Sequence, residues 1–402
     1  MGGAVDLGGS RVEALALAQA LDVPPAREPS AGVKTEGEDR AHVHGFHTYP
    51  ARMHPLTAAR IVEGFSRVGG TLLDPFCGSG TVLVEAMCLG RAAVGTDLNP
   101  LAVKLATTKT RPRPKGELEE LVASARRAAA FAGERRRARA GATRRYPPED
   151  VAMFDAHVLL ELDGIRAGIA ETSTEPVRGD LLMVLSSILV KLSRKRGDTS
   201  EETGARRLAA GYPSSLFVRK SVELANRVEE VEARLPSPRP SVRVAIDDAT
   251  RLTSVKDQSI DLALTSPPYA GTYDYLAHHL MRLRWLGLDA RALERGEVGA
   301  RRRYAGLPGK EAHQAWEREV SSFLSPLDRV LRHGAFVVLL IGDSAVGGTA
   351  LRAEDIVAAA ADRTRLECVA RASQERPQFH GPSTEAFRKA PRREHALLLR
   401  RR

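Results

Sequence analysis

Twice in its first third, this chain ends a short apolar run on an acid and follows it at once with a turn and a helical stretch. Thr71–Asp74 (TLLD) leads through the glycine-bearing turn Pro75–Gly80 (PFCGSG) into Thr81–Leu89, a helix that Gly90 stops. Ala92–Asp97 (AAVGTD) then leads into a helix that Asn99 caps and Pro100 starts, running to about Lys109. Apolar runs this short read as buried strands, and strands that alternate with helices pair in parallel with the helices laid on the sheet. The opening βαβα unit therefore constrains the rest of the chain to an α/β fold.

The later sequence fits that frame with one interruption. Strand signals resume at Val242–Ile246, Ile260–Thr265 and Ala335–Ile341, with helices expected at Glu311–Arg332 and Ala353–Asp362. Two β-rich pieces, Leu366–Ala372 and His395–Leu399, close the chain. Between about Thr110 and Pro240 the pattern is helical: Leu118–Arg139, Pro148–Ala170, Val177–Ser193 and Leu216–Leu235. The expected fold is a doubly wound, mostly parallel α/β sheet carrying a large helical insertion, residues 111–240, within a catalytic domain of residues 41–110 and 241–402. Residues 1–40, rich in Pro, Gly and charge after a possible short helix at Val12–Leu21, are expected to form a poorly ordered arm. No internal repeat is visible.

Composition narrows the class. Of 402 residues, 43% are hydrophobic and 27% charged, the balance of a soluble globular chain. The longest apolar run, Leu181–Val190, contains two serines and is far short of a membrane span, so it reads as a buried helix. The N-terminus lacks the basic start and apolar core of a secretory signal, and a cytoplasmic location is expected. Cys77, Cys88 and Cys368 have no C-x-x-C spacing, which points to neither disulfides nor a zinc site, and no metal is expected. A net charge of +10, with basic runs at Arg135–Arg139, Arg194–Arg196, Arg301–Arg303 and Arg400–Arg402, suits a polyanionic partner; each run also reads as an ordinary solvated face.

The two strand-end turns say what the sheet holds. In open parallel sheets, ligands bind beyond the carboxyl ends of strands, where a glycine turn lets backbone approach and a helix offers free N–H groups. Gly78 and Gly80 meet that need, because a side chain at either would push a ligand away. Asp74 in the same turn would repel a pyrophosphate and suit a ligand with an ammonium group. Asp97 is placed to accept from both hydroxyls of a ribose. Asp248, in AIDDATRL, can accept from an adenine amino group, although Asp247 is adjacent and either can be a plain loop acid. Ribose, adenine and an ammonium tail together describe S-adenosylmethionine.

DPFCGSGT (Asp74–Thr81), GTDLNP (Gly95–Pro100) and TSPPY (Thr265–Tyr269) resemble the motifs of the amino-group DNA methyltransferases, which modify cytosine N4 or adenine N6. The resemblance runs from Phe46 to Tyr269. It implies a Rossmann-like methyltransferase fold and S-adenosylmethionine as cofactor. By it, Tyr49 and Pro50 in YPARMHP lie over the methionine end, and Asp74, Pro75, Phe76, Gly78, Gly80 and Thr81 are cofactor contacts. Asp97, with Asn99 beside it, takes the ribose and Asp248 the adenine. The cofactor turn precedes the catalytic turn here, an order similar to circular variants whose target-recognition region lies between the halves. The helical insertion is thus a candidate reader of DNA sequence or a cap over the cleft.

The chemistry of TSPPY follows from the weakness of its substrate. An exocyclic base amine delocalises its lone pair into the ring, and two fixed acceptors off the base plane would draw its N–H bonds out and turn the lone pair toward the methyl donor. Ser266 offers a hydroxyl and Pro267 a carbonyl; the restriction imposed by Pro267 and Pro268 keeps both aimed. Tyr269 supplies a flat face for a base flipped out of its duplex. Aromatic and basic residues in Gly271–Leu288 suit nucleotide contact, while Leu276, Leu280, Leu283 and Leu286 would equally make a buried helical stripe. The expected activity is methyl transfer to a DNA base amine, with Ser266 favouring cytosine N4 slightly. An RNA guanine-N2 methyltransferase and a catalytically silent nucleic-acid-binding relative are the alternatives. DNA is the expected partner, with RNA and a restriction endonuclease as further candidates.

Overall fold

The apolar runs become the centre of an eight-stranded sheet. A computed structural model describes residues 5–23, 40–197, 202–205, 207–376 and 383–402. Before the helical stretch lie β1 (Val5–Gly9), α1 (Arg11–Leu21), a tight 3-10 turn (His42–Gly45), α2 (Pro55–Phe65), β2 (Thr71–Asp74), α3 (Thr81–Cys88), β3 (Ala92–Asp97) and α4 (Pro100–Thr110). The helical stretch is α5 (Glu117–Arg137), α6 (Pro148–Ala152), α7 (Ala156–Thr172), α8 (Val177–Leu192) and α9 (Tyr212–Glu232). Then come β4 (Val242–Ile246), β5 (Ile260–Thr265), α10 (Tyr275–Leu286), α11 (Arg291–Gly296), α12 (Arg301–Tyr304), α13 (Gly309–Val330) and β6 (Leu331–Gly342). A small hairpin of β7 (Ser344–Val346) and β8 (Thr349–Leu351), α14 (Ala353–Ala361), β9 (Leu366–Glu375), α15 (Ser383–Ala386) and β10 (Arg393–Arg401) complete the chain.

The sheet order is β1-β9-β10-β6-β5-β2-β3-β4. Strands β4, β3, β2, β5 and β6 are parallel, while β10 runs antiparallel between β6 and β9. The winding reverses at β2: the chain steps out to β3 and β4, then returns to β5 on the other flank of β2. Ligands of such sheets bind at that reversal, outside the carboxyl ends of the strands.

Alternate residues along each central strand serve opposite faces. Leu73, Ala263, Val337, Leu339 and Leu397 share a core with Trp316, Val320 and Phe323 of α13 and Ile356 of α14. Their neighbours Leu72, Leu262, Leu264, Val338 and Leu398 share another with Leu17 of α1, Ile61 of α2 and Leu83 of α3. Helices α5–α9 bury a third core, including Leu162, Leu185 and Phe217, that is continuous with Val84 and Met87 of α3 and Leu101 and Leu105 of α4.

Several expectations need correction. Residues 5–23 are not a loose arm: β1 pairs antiparallel with β9 from Val5↔Gln374 to Gly9↔Ala370, and α1 buries Ala14, Leu17 and Leu21. A glycine-rich edge strand needs only backbone to pair, so composition hid it; residues 24–39 lie outside the described residues. The helix expected over Pro148–Ala170 breaks between α6 and α7, where the Met153 carbonyl accepts from Arg194 N at 2.8 Å. On α10 the buried face is His279, Met281, Arg282, Leu283 and Trp285, with Leu276 and Leu286 packed at its edge; of the expected leucine stripe only Leu280, 39% exposed, stays out of the core. Among the described residues no helix is long and apolar enough to cross a membrane.

Candidate functional site

A cleft enclosing about 850 Å³, partly open to solvent, lies at the winding reversal. Tyr49, Asp74, Pro75, Phe76, Gly78, Thr81, Asp97, Asn99 and Asp248 line it, and so do Ser266 and Pro268 from the end of β5. The cofactor turn and the SPPY turn therefore border one space. Pro50, Gly80, Pro267 and Tyr269 are not among its lining residues.

The two turn glycines have different reasons to be glycine. Gly78 (φ +49°) and Gly80 (φ +81°) both adopt the left-handed conformation. A side chain at 78 would meet the Tyr49 ring, with Cε1 at 3.2 Å from its Cβ. At 80 it would meet Ala106 of α4, with Cβ at 2.9 Å. Gly80 is thus required by helix packing behind the turn rather than by a ligand in front of it, which corrects the sequence reading.

Each strand-end acid is held by the backbone it follows. Asp74 Oδ1 accepts from Thr265 Oγ1 at 2.7 Å and from Phe76 N at 3.2 Å, which joins the ends of β2 and β5. Asp97 accepts from Gly78 N at 2.9 Å and Asn99 N at 2.8 Å, tying the glycine turn to β3. Burial pushes the Asp74 carboxyl up to about 7 and that of Asp97 up to about 6, with their hydrogen bonds opposing the shift. Asn99 caps α4 through Leu101 N at 3.0 Å and donates to Tyr49 Oη at 3.3 Å. The adjacent acids after β4 divide their duties. Asp247 is consumed by its own loop, accepting from Thr253 and from Ser254 N and Oγ, whereas Asp248 lines the cleft.

These residues fit the cofactor that the sequence suggested. Four carboxylates, Asp74, Asp97, Asp248 and Glu297, line a slot with apolar walls at Phe76, Leu98 and Ala249. Asp74 and Asp248 each take two donors on Oδ1, which leaves Oδ2 for a ligand, and each Asp97 oxygen keeps a second lone pair beyond its one backbone bond. Ser79 Oγ and Thr81 Oγ1, both at the cleft, are buried without a partner among the described residues.

Tyr269, at the end of the SPPY turn, is held from two sides. Its Oη donates to Glu394 Oε1 at 3.2 Å, and its ring lies against Gly342, where a Cβ would sit 2.8 Å from Cε2. A second hollow, lined by Gly271–Tyr273, Arg301, Tyr304, Asp343–Gly347, Phe387 and Arg392, opens beside this region.

Sequence reasoning missed the roof of the cleft. Tyr275, Leu293, Gly296, Glu297 and Val298 close it from the connection between β5 and β6. Glu297 accepts from Tyr275 N and pairs with Arg302, and burial raises its carboxyl. Tyr49 stacks on His279 at 4.8 Å between centroids and faces Tyr275 at 6.5 Å. No motif marks these positions; only Leu98 and Ala249, each next to a strand-end acid, carried a readable signal.

One further cluster holds the segment leading to Tyr49. His42, His44 and Glu85 bring ligand-type atoms within 4.8 Å of one another. Lys109, Arg227 and Arg234 act on His42, and burial holds it down at about 4, an environment that repels a cation. His44 Nε2 lies 2.7 Å from Glu85 Oε1, so the group serves as a buried link from the 3-10 turn to α3.

The sequence model of the DNA methylase family matches residues 27–108, which include β2, the glycine turn and β3. Type II methyltransferase M.MvaI of Kocuria varians is 39% identical over 82 residues, 20% of this chain and 18% of that protein. Type II methyltransferase M.MjaII of Methanocaldococcus jannaschii is 36% identical over 75 residues, 19% of this chain and 14% of that protein. Type II methyltransferase M.BsoBI of Geobacillus stearothermophilus is 24% identical over 292 residues, 65% of this chain and 56% of that protein. The chain thus spans under a fifth of the first two relatives and about half of the third. The similarity to DNA methyltransferases is thus strongest over the segment that carries β2, the glycine turn and β3.

Proposed function

We propose that this protein is an S-adenosylmethionine-dependent DNA methyltransferase acting on an exocyclic base amine, with cytosine N4 favoured over adenine N6. The observation that carries the reading is that Ser266 and the Asp74–Thr81 turn border the same cleft at the winding reversal. When bound, S-adenosylmethionine supplies an electrophilic methyl group on sulfur. Asp97 would accept from the ribose hydroxyls, Asp248 from the adenine amine, and Asp74 would hold the ammonium end. Phe76, Leu98 and Ala249 exclude water from the purine.

On the other side of the cleft, Ser266 Oγ and the Pro267 carbonyl take the two N–H bonds of the target amine. The amine's lone pair is freed from the ring and points at the methyl carbon. Tyr269 offers its ring to the flipped base, offsetting part of the unstacking cost. The proton released from the alkylated amine passes to solvent through the open side. The helical block α5–α9, with its arginines, is the proposed reader of the target sequence. The type II naming of the relatives supports a modification role with a restriction endonuclease as counterpart. Three free cysteines suit a cytoplasmic setting.

The test is incubation of the purified protein with methyl-labelled cofactor and either duplex DNA or transfer RNA, followed by nucleoside mass spectrometry. N4-methylcytosine or N6-methyladenine in DNA is expected. Label only in RNA, or in neither, overturns the proposal.

A further inference from the structure

The basic run Arg301–Arg303 divides its charges. Arg302 pairs with Glu297 and Asp274, which fastens the roof of the cofactor cleft, and Arg303 donates to the Arg295 carbonyl. Arg301 is exposed and lines the hollow beside Tyr269. A second guanidinium, that of Arg392, lines the same hollow at 8% exposure, with Nε donating to the Asp343 carbonyl at 2.9 Å. A guanidinium carries five donors in a rigid fork, so one anchor fixes its direction without exhausting it.

Two neighbouring cavities of opposite charge result. Asp74, Asp97, Asp248 and Glu297 line the cofactor cleft, against one basic residue, Arg52. The hollow encloses about 1240 Å³, partly open to solvent, and among the described residues that line it Asp343 is the one acid. That acid is answered by its own surroundings. Its Oδ1 accepts from Ala353 N at 3.0 Å and lies 3.2 Å from His395 Nε2, while Oδ2 accepts from Arg352 Nη1 at 2.8 Å and Arg393 N at 3.1 Å. The rest of the lining is basic at Arg301 and Arg392, hydroxyl-bearing at Thr272 and Ser344, and aromatic at Tyr273 and Phe387. Arginine forks match phosphate oxygens, and aromatic faces suit nucleotides.

The backbone sets the distance from this hollow to Tyr269. Gly271, which lines it, follows Tyr269 by two residues, at most about 7 Å of extended chain. The Tyr269 ring and the Arg392 guanidinium meet over Gly342, where a Cβ would sit 2.8 Å from Tyr269 Cε2 and 3.3 Å from Arg392 Nη2. A strand with one nucleotide seated at Tyr269 therefore carries its next phosphodiester within reach of Arg392.

We propose that this hollow holds the phosphodiester adjoining the flipped nucleotide of a DNA strand, with Arg392 and Arg301 donating to its oxygens. The site rests on the reading that a base amine of DNA is methylated with its base against Tyr269. Phosphate contacts carry no sequence information, so the hollow fixes the register of the strand in front of the methyl donor and leaves the choice of target to other residues. The opposite signs of the two cavities keep each ligand out of the other's place, since the carboxylates repel the polyanion and the arginines repel the sulfonium.

The experiment measures duplex DNA binding over a range of salt concentrations, cofactor dissociation constant and thermal midpoint for the wild type, Arg301→Gln and Arg392→Gln. Binding is then repeated with single uncharged methylphosphonate linkages placed around the modified base. Each variant is expected to bind DNA about tenfold more weakly, with the slope of log affinity against log salt shallower by about one. Cofactor affinity and the identity of the methylated base stay as in the wild type. Arg301→Gln, at an exposed position, also keeps the wild-type thermal midpoint, so its loss of binding is not a loss of fold. One linkage beside the modified base costs the wild type about tenfold and the variants nothing further. Unchanged salt slopes, or linkage costs that multiply with those of the variants at every position, overturn the site. A wild-type protein that methylates no base amine of DNA overturns the underlying reading, and the site with it.

Discussion

Asp74 illustrates how one residue serves folding and binding in opposite senses. Its carboxyl is pushed up to about 7 by burial, so the folded protein retains a proton that the unfolded chain gives up near the ordinary value of 3.8. Its contribution to stability is therefore present at low pH and lost as pH rises through about 7. A cationic ligand acts the other way, because it favours the ionised carboxylate. Cofactor affinity is expected to tighten from pH 5.5 to 8, by about tenfold for each 1.4 kcal/mol of recovered attraction. Asp74→Asn keeps an oxygen for Thr265 and Phe76 while removing the charge. It is expected to raise the ligand-free thermal midpoint at pH 8 by a few degrees, weaken cofactor binding at least tenfold and flatten its pH profile; calorimetry and binding titrations read both. The acids at 74 and 97 were legible because each ends an apolar run and begins a turn, whereas after β4 the same pattern left Asp247 and Asp248 as two candidates. Glu297 was not, because it reaches the cleft through the packing of the connection between β5 and β6, which no local pattern encodes.

Among the elements, the most regular were the most readable. The bounds of β4 and β5 match the sequence expectation residue for residue, and α13 and α14 differ from it by no more than two residues at either end. Their burial is settled by period alone: Trp316, Val320, Phe323 and Leu327 fall on one helix face, as a 3.6-residue repeat demands. Strand β1 escaped because an edge strand contributes hydrogen bonds more than apolar surface. Its pairing with β9 and the packing of α1 on the same face cover an edge that would otherwise template association. Deleting residues 1–22 is expected to lower the thermal midpoint by several degrees and to produce concentration-dependent oligomers in light scattering. A monomer of unchanged midpoint would show that β1 and α1 are dispensable.

At the scale of the whole molecule, the helical block is built into the α/β core rather than appended to it, since the residues it buries are continuous with those of α3 and α4. The sequence marked where the block begins and ends but not which surface it packs against, because its helices are apolar on more than one face; α8 alone buries twelve of its sixteen residues. The roof of the cleft has a consequence for the order of events. Leu293–Val298 belong to the same connection that begins at the SPPY turn, so under the proposed function a base seated against that turn would lie next to the cover over the cofactor. Under the proposed function, the methyl donor is therefore expected to enter before the nucleotide and the spent donor to leave after it. In an isotope-trapping experiment, enzyme preloaded with labelled donor and mixed with DNA plus excess unlabelled donor is expected to deliver its label to the first base it meets; dilution of that label would show that the cover opens while the base is in place.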